Sequence, residues 1–245
     1  MTSSPLATQS VGALVRDHLG RAQVFERLGI DFCCAGGKSL AEACTEAGQD
    51  IDQVCRDLED LNESTPHADE TDWATAPLTD LIDHILQRHH HYLREQLPQL
   101  KQWLDRTVAA HAQDHPELIE LSKLLAALTD ELTSHMMKEE NVLFPMVKQV
   151  EHAKQHGEAV GPLHCGSIEN PIAVMEDEHK SAGTALRRMR WLTGQYEAPA
   201  GACNTYRATF AGLAELETDL HLHIHKENNI LFPRAIEMAA QVASV

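Results

Sequence analysis

The segment His135-Met-Met-Lys-Glu139-Glu-Asn-Val-Leu-Phe-Pro145 recurs as His223-Ile-His-Lys-Glu227-Asn-Asn-Ile-Leu-Phe-Pro233, 88 positions later (223 − 135). Both copies keep a His and a Glu four apart, then Leu-Phe-Pro. On a helix, residues i and i+4 stack on one face. Each copy therefore directs an imidazole nitrogen and a carboxylate oxygen to one point. Two such helices facing each other enclose imidazole and carboxylate donors without thiolate, a set that suits iron or manganese better than structural zinc.

Four long segments have helical periodicity and none has convincing strand alternation: residues 77–110, 116–150, 170–193 and 202–240. Asn170-Pro171 reads as an N-cap followed by proline at the first helical position. Pro98, Pro145 and Pro233 should each kink or interrupt a helix. Residues 151–169 read as irregular. In the second segment Leu121, Leu124, Leu128, Leu132, His135, Glu139 and Val142 share a face. Leu213, Leu216, Leu220, His223, Glu227 and Ile230 do so in the fourth, and Ile172, Met175, His179, Ala182 and Leu186 in the third. These stripes predict an all-α bundle with His135, Glu139, His179, His223 and Glu227 facing its core. A buried ionised Glu is costly unless paired or metal-bound, so two of them argue for a metal site. Two His would hold each of two metals, with both carboxylates bridging.

The first long segment must supply the remaining His, and it offers His89, His90 and His91 in a row. Its apolar stripe points nearest to His89, whereas the 88-residue offset from His179 points to His90 or His91. Periodicity alone leaves the choice open.

Residues 1–63 read as a small domain of short helices and 64–75 as a polar linker, leaving 76–245 for the bundle. Gly29 should stop a helix, and Ser39 with Glu42 forms a capping-box pattern. Between them lies the loop Asp31-Phe-Cys-Cys-Ala-Gly-Gly37. Cys33 and Cys34 are adjacent, so a bridge between them would be strained. A nearby helix start and Lys38 should favour the thiolate, giving a redox or relay pair. Cys44, Cys55, Cys165 and Cys203 read as ordinary buried or partly buried thiols. Glu131 and Glu178 are candidates for proton carriers or hydrogen-bond partners next to the metals, and His111 for a position on a ligand channel. His221, His225, His152, His156 and His164 read as surface or loop residues, and Met136 and Met137 as core.

Acidic residues outnumber basic ones 37 to 20, for a formal charge of −17. That balance argues against nucleic acid or an anionic membrane as partner. No run approaches the roughly 20 apolar residues of a membrane span. Residues 1–10 lack the pattern of a secretory signal. Six cysteines in 245 residues are too sparse for a disulfide scaffold, which points to the reducing cytoplasm.

Asp31-Phe-Cys-Cys, Leu93-Arg-Glu-Gln-Leu-Pro98, Ser134-His-Met-Met-Lys-Glu-Glu140, Pro171-Ile-Ala-Val-Met-Glu-Asp-Glu-His179, Ala200-Gly-Ala-Cys-Asn204 and His223 to Arg234 together resemble one family, the di-iron repair-of-iron-centres proteins with a hemerythrin-like domain. The resemblance spans nearly the whole chain. The family places a ligand His four residues before the Arg of the Leu-Arg-Glu run, which is Arg94 here. The resemblance thus implies the ligand set His90, His135, Glu139, His179, His223 and Glu227 around two non-haem iron ions with oxo or hydroxo and carboxylate bridges. It also implies acidic neighbours at Glu131 and Glu178. The family has a Cys-Cys-Gly-Gly loop, and Ala35 stands here in its first glycine place. What the resemblance implies is a cytoplasmic stress protein, non-enzymatic, that repairs damaged iron–sulfur proteins by supplying iron. Nitric oxide binding or nitric oxide reduction is the alternative, and the vicinal cysteines allow a homodimer. A reversible oxygen carrier fits less well, because carrier hemerythrins have more His ligands.

Overall fold

The computed structural model describes residues 4–64, 71–161 and 165–242, and its regular structure there is helical, with one isolated bridge pairing Ser10 and Ser39. After a 3₁₀ turn at Pro5–Thr8, four short helices follow: α1 (Val11–Asp17), α2 (Arg21–Leu28), α3 (Leu40–Ala47) and α4 (Ile51–Ser64). Gly29 ends α2 in the left-handed region at φ 69°, where a Cβ is disfavoured. Ser39 and Glu42 form the expected capping box at the start of α3.

Four rods then make the bundle. The first is α5 (Leu78–Ile85), a π turn (Leu86–His90) and α6 (His91–His111). The second is α7 (Glu117–Lys138), a π turn (Glu139–Leu143) and α8 (Phe144–His156). The third is the uninterrupted α9 (Glu169–Leu192). The fourth is α10 (Asn204–Lys226), a π turn (Glu227–Leu231) and α11 (Phe232–Val242). The first rod packs on the second and fourth, and the second also packs on the third. Two of the expected prolines follow π turns, whereas Pro98 lies inside α6 without ending it. The third rod starts at Glu169, one residue before the expected cap. The Asn170 side chain instead donates to Cys165 O at 2.9 Å.

Two apolar clusters fill the bundle. One holds Leu93, Leu132, Met136, Ala182 and Leu220 among others. The other holds Ile85, Leu143, Met175 and Ile230. Along every rod the conspicuous His and Glu residues fall between the two. They form a polar layer closed off from water at both ends, and burial of large aliphatic side chains at about 1.5–3 kcal/mol each supplies the stability to desolvate it. Met136 joins the core as expected, but Met137 is exposed.

The N-terminal helices gather around Phe25, Phe32, Leu14, Leu40 and Leu58, and Ile224 of the fourth rod belongs to the same cluster. The loop after α2 is held by Gly12 N→Gly36 O at 2.8 Å and Val11 N→Lys38 O at 2.9 Å. A Cβ on Gly12 or on Gly36 would run into Asn229 Oδ1, so glycine at both places lets the loop lie against the fourth rod. Residues 1–3, residues 65–70 of the expected linker, and His164 are outside the described residues. From Asp72 onward the chain is tied down: Arg234 donates to Trp73 O and Ala76 O at 2.6 and 2.7 Å.

Candidate metal centre

The π turns explain how three rods present their donors. A π turn closes i→i−5 hydrogen bonds and inserts one extra residue. Phe144 N bonds to Glu139 O, Phe232 N to Glu227 O and His91 N to Leu86 O. In the repeat the cause is visible. Pro145 and Pro233 lack an N–H and would clash with the carbonyl four residues back in an α-helix, and the wider turn relieves this. The first rod has no such proline, so its π turn leaves no sequence signal. There the extra residue widens the buried arc until both His89 and His90 face inward, 1% and 0% exposed, while His91 stays outside.

Six donors converge between the apolar clusters. His90, Glu139, His223 and Glu227 form one group with donor atoms within 4.8 Å of one another. His135, Glu139, His179 and Glu227 form the other. The two carboxylates belong to both groups and are wholly buried. Glu139 Oε2 lies 3.2 Å from His90 Nε2 and 3.4 Å from His135 Nε2. Glu227 Oε2 lies 3.2 Å from His179 Nε2, and its Oε1 3.0 Å from His223 Nε2.

This arrangement fits cations. Both oxygens of Glu139, Oε2 of Glu227 and Nε2 of His90 are buried and make no hydrogen bond. Buried polar atoms without hydrogen bonds are expensive, and a bound cation would satisfy all four atoms together. The charges already respond to one another. Burial pulls the His135 imidazole down, but Glu139 and Glu227 outweigh it and raise it to about 9. His90 is raised in the same way, against its burial, by Glu139 and Glu227. Burial pushes Glu227 up, yet His223 and His179 hold it well below the usual carboxylate range.

Three of the four imidazoles are fixed from behind. His90 Nδ1 donates to Glu140 Oε1 at 2.6 Å, His135 Nδ1 to Glu178 Oε2 at 2.9 Å, and His179 Nδ1 to Asn228 Oδ1 at 2.8 Å. Such contacts set the tautomer that leaves Nε2 for a metal. Glu178 is also paired with Lys138, and Glu140 with Arg94 at 2.5 Å. Sequence reasoning found Glu178 but missed Glu140 and Asn228, each the residue directly after a converging Glu.

Other expected residues stand elsewhere. Glu131 is exposed and accepts from Ser181 Oγ at 3.2 Å. His111 Nε2 lies 3.3 Å from Cys203 Sγ and its ring packs on Tyr206. Both lie outside the six-donor constellation. His225, expected at the surface, is buried against Phe32, and burial pulls it down to about 3. His221 is half-buried near Glu26. Cys203 is exposed, not buried as expected.

The cysteine loop meets the same layer. Cys34 Sγ approaches His179 O at 3.5 Å, and the Asn228 amide donates to Cys33 O at 3.3 Å. Cys33 Sγ and Cys34 Sγ are 3.8 Å apart, both free thiols. The expected push toward thiolate fails for two reasons. Lys38 turns away to pair with Glu46 at 2.5 Å. The hydrogen bond to Cys34, together with burial, raises the Cys33 thiol well above its ordinary value.

A helical bundle with this His and carboxylate layer defines a hemerythrin-like, cation-binding class of protein. Residues 81–235 match the Hemerythrin HHE cation binding domain, and residues 7–62 match a domain of unknown function (DUF542). The iron-sulfur cluster repair protein YtfE of Cronobacter sakazakii (strain ATCC BAA-894) is 42% identical over 229 residues, covering 93% of this chain and 96% of that protein. The proteins of the same name from Yersinia pseudotuberculosis serotype IB (strain PB1/+) and Yersinia pestis are each 39% identical over 228 residues, with the same coverage. The chain belongs to this YtfE family.

Proposed function

We propose that the chain repairs iron–sulfur clusters by holding two iron ions between His90, His135, Glu139, His179, His223 and Glu227 and surrendering iron to a damaged cluster. The observation that carries this reading is that two four-donor groups share the same two buried carboxylates. The names of the YtfE relatives support it. Iron bound there is cargo as well as occupant. Imidazole and carboxylate without thiolate hold iron with moderate strength, and a carboxylate shared by two ions can release one while keeping the other. Glu140, Glu178 and Asn228 keep three imidazoles oriented while this happens.

The test is rescue of an iron–sulfur enzyme whose cluster has been damaged. Iron-loaded protein restores its activity, whereas His135→Ala and Glu139→Ala proteins, matched for concentration and shown to be folded, do not. Equal rescue by the variants overturns the reading. Tight nitrosyl formation without rescue assigns a gas-binding role instead.

A further inference from the structure

The two halves of the layer correspond residue for residue, with Asn228 standing behind His179 where Glu140 stands behind His90, but they part company behind His223. Lys138, in the first copy of the repeat, pairs with Glu178, which accepts from His135 Nδ1 at 2.9 Å. Lys226, the matching residue of the second copy, donates to His89 Nε2 at 2.9 Å. His89 precedes His90 as Glu178 precedes His179, so it stands where the repeat would place a carboxylate for His223. It cannot serve as one. His89 Nε2 receives Lys226, and its Nδ1 donates to Asp219 Oδ1 at 3.0 Å. Its ring therefore lies flat on the His223 ring, centroids 5.2 Å apart and planes 3° from parallel. His223 Nδ1 is left buried with no hydrogen bond, alone among the four converging imidazoles.

The consequence is chemical. His223 Nε2 lies 3.0 Å from Glu227 Oε1 and faces the cation site. A cation takes Nε2, so the proton must sit on Nδ1, where it meets no acceptor. A buried, unsatisfied N–H is costly. His90, His135 and His179 incur no such cost, because their Nδ1–H groups already have acceptors.

We infer that the His90–His223 half holds its cation more weakly than the His135–His179 half and is the half that releases iron, with His89 the positioning residue that makes it so. This rests on the two-iron reading proposed above and names which ion is the donated one.

The test is extraction of iron from the loaded full-length chain by excess chelator, after iron per chain has been measured. Two irons leave in two phases, and the slower phase is retained in His223→Ala but lost in His135→Ala. His89→Glu supplies the missing acceptor, and its fast phase slows toward the slow one, on the order of tenfold. Should burying that carboxylate unfold the chain, Glu178→Ala carries the same test in the other half. It strips the acceptor from His135 and speeds the slow phase by a similar factor. Fewer than two irons per chain sinks the two-iron reading. Two irons leaving in a single phase, or a slow phase unmoved in Glu178→Ala, overturns the inference and leaves the two-iron reading standing. No cluster protein is present, so the outcome is independent of the repair assay.

Discussion

Asn228 accepts the Nδ1–H of His179 at 2.8 Å through its side-chain oxygen, while its amide nitrogen donates to Cys33 O at 3.3 Å. One side chain thus orients a donor of the buried layer and anchors the cysteine loop. Replacing Asn228 with Ala should remove both contacts. We expect cation affinity to fall on the order of 10- to 100-fold and Cys34 to react faster with a thiol reagent. Asn228→Asp keeps the acceptor and should restore affinity but not the anchor. Unchanged affinity in Asn228→Ala, measured by competition with a chelator, would contradict this.

The three consecutive histidines separate by what they touch: His90 joins the converging donors, His89 is buried against Asp219 and Lys226, and His91 is exposed. His90→Ala should lose bound iron, and Glu227→Ala should lose it while remaining helical by circular dichroism. His91→Ala should change nothing, because His91 is exposed and pairs with the exposed Glu95 at 3.4 Å. His89→Phe should keep its iron yet melt earlier. It removes the hydrogen bonds that His89 makes with the buried Asp219 and Lys226, which costs roughly 1–3 kcal/mol. Iron per chain and melting temperature together check all four, and iron lost from His89→Phe would refute the assignment.

The metal-free protein should be most stable near pH 6.5. His135 has its folded pKa raised to about 9. Its stabilising contribution is therefore complete below the unfolded value near 6.5 and lost as the pH rises through 9. On the acid side, burial lowers His84 and His89 to about 4 and His225 to about 3. Below about pH 6.5 the unfolded chain takes up protons that these buried rings refuse, so stability falls again. In the iron-loaded protein a cation replaces the proton on His135, and the alkaline decline should vanish. Melting temperature against pH, with and without chelator, decides it. A chelated protein equally stable at pH 6.5 and 9 would rule it out.

Gly36→Ala should loosen the contact between the loop and the fourth rod. The added Cβ runs into Asn229 Oδ1 and also comes within 2.8 Å of Phe32 O, closer than packed atoms tolerate. A cost on the order of 1–3 kcal/mol is expected for such overpacking, with faster hydrogen exchange confined to residues 31–38. Gly37→Ala, where a Cβ meets nothing, should be neutral.

The repeat, its 88-residue offset and the apolar stripes were sufficient to read a helical bundle with five inward donors: His135, Glu139, His179, His223 and Glu227. These readings rest on spacing within single helices, which local geometry sets. Ser39 with Glu42 and Gly29 were legible for the same reason. The failures share the opposite cause. Counting at 3.6 residues per turn assumes an unbroken α-helix, so the π turn at Leu86–His90 hid the fact that His89 and His90 are both buried. His225 read as surface because the N-terminal helices that cover it lie some 200 residues away in the chain.

By itself, then, the sequence determined the donor chemistry and its placement on helices, because a His and a Glu four residues apart must share a helical face. Only the tertiary structure decided the partners of those donors. Glu140, Glu178 and Asn228 stand behind three imidazoles and His89 lies against the fourth, contacts made across rods that no spacing along one helix encodes.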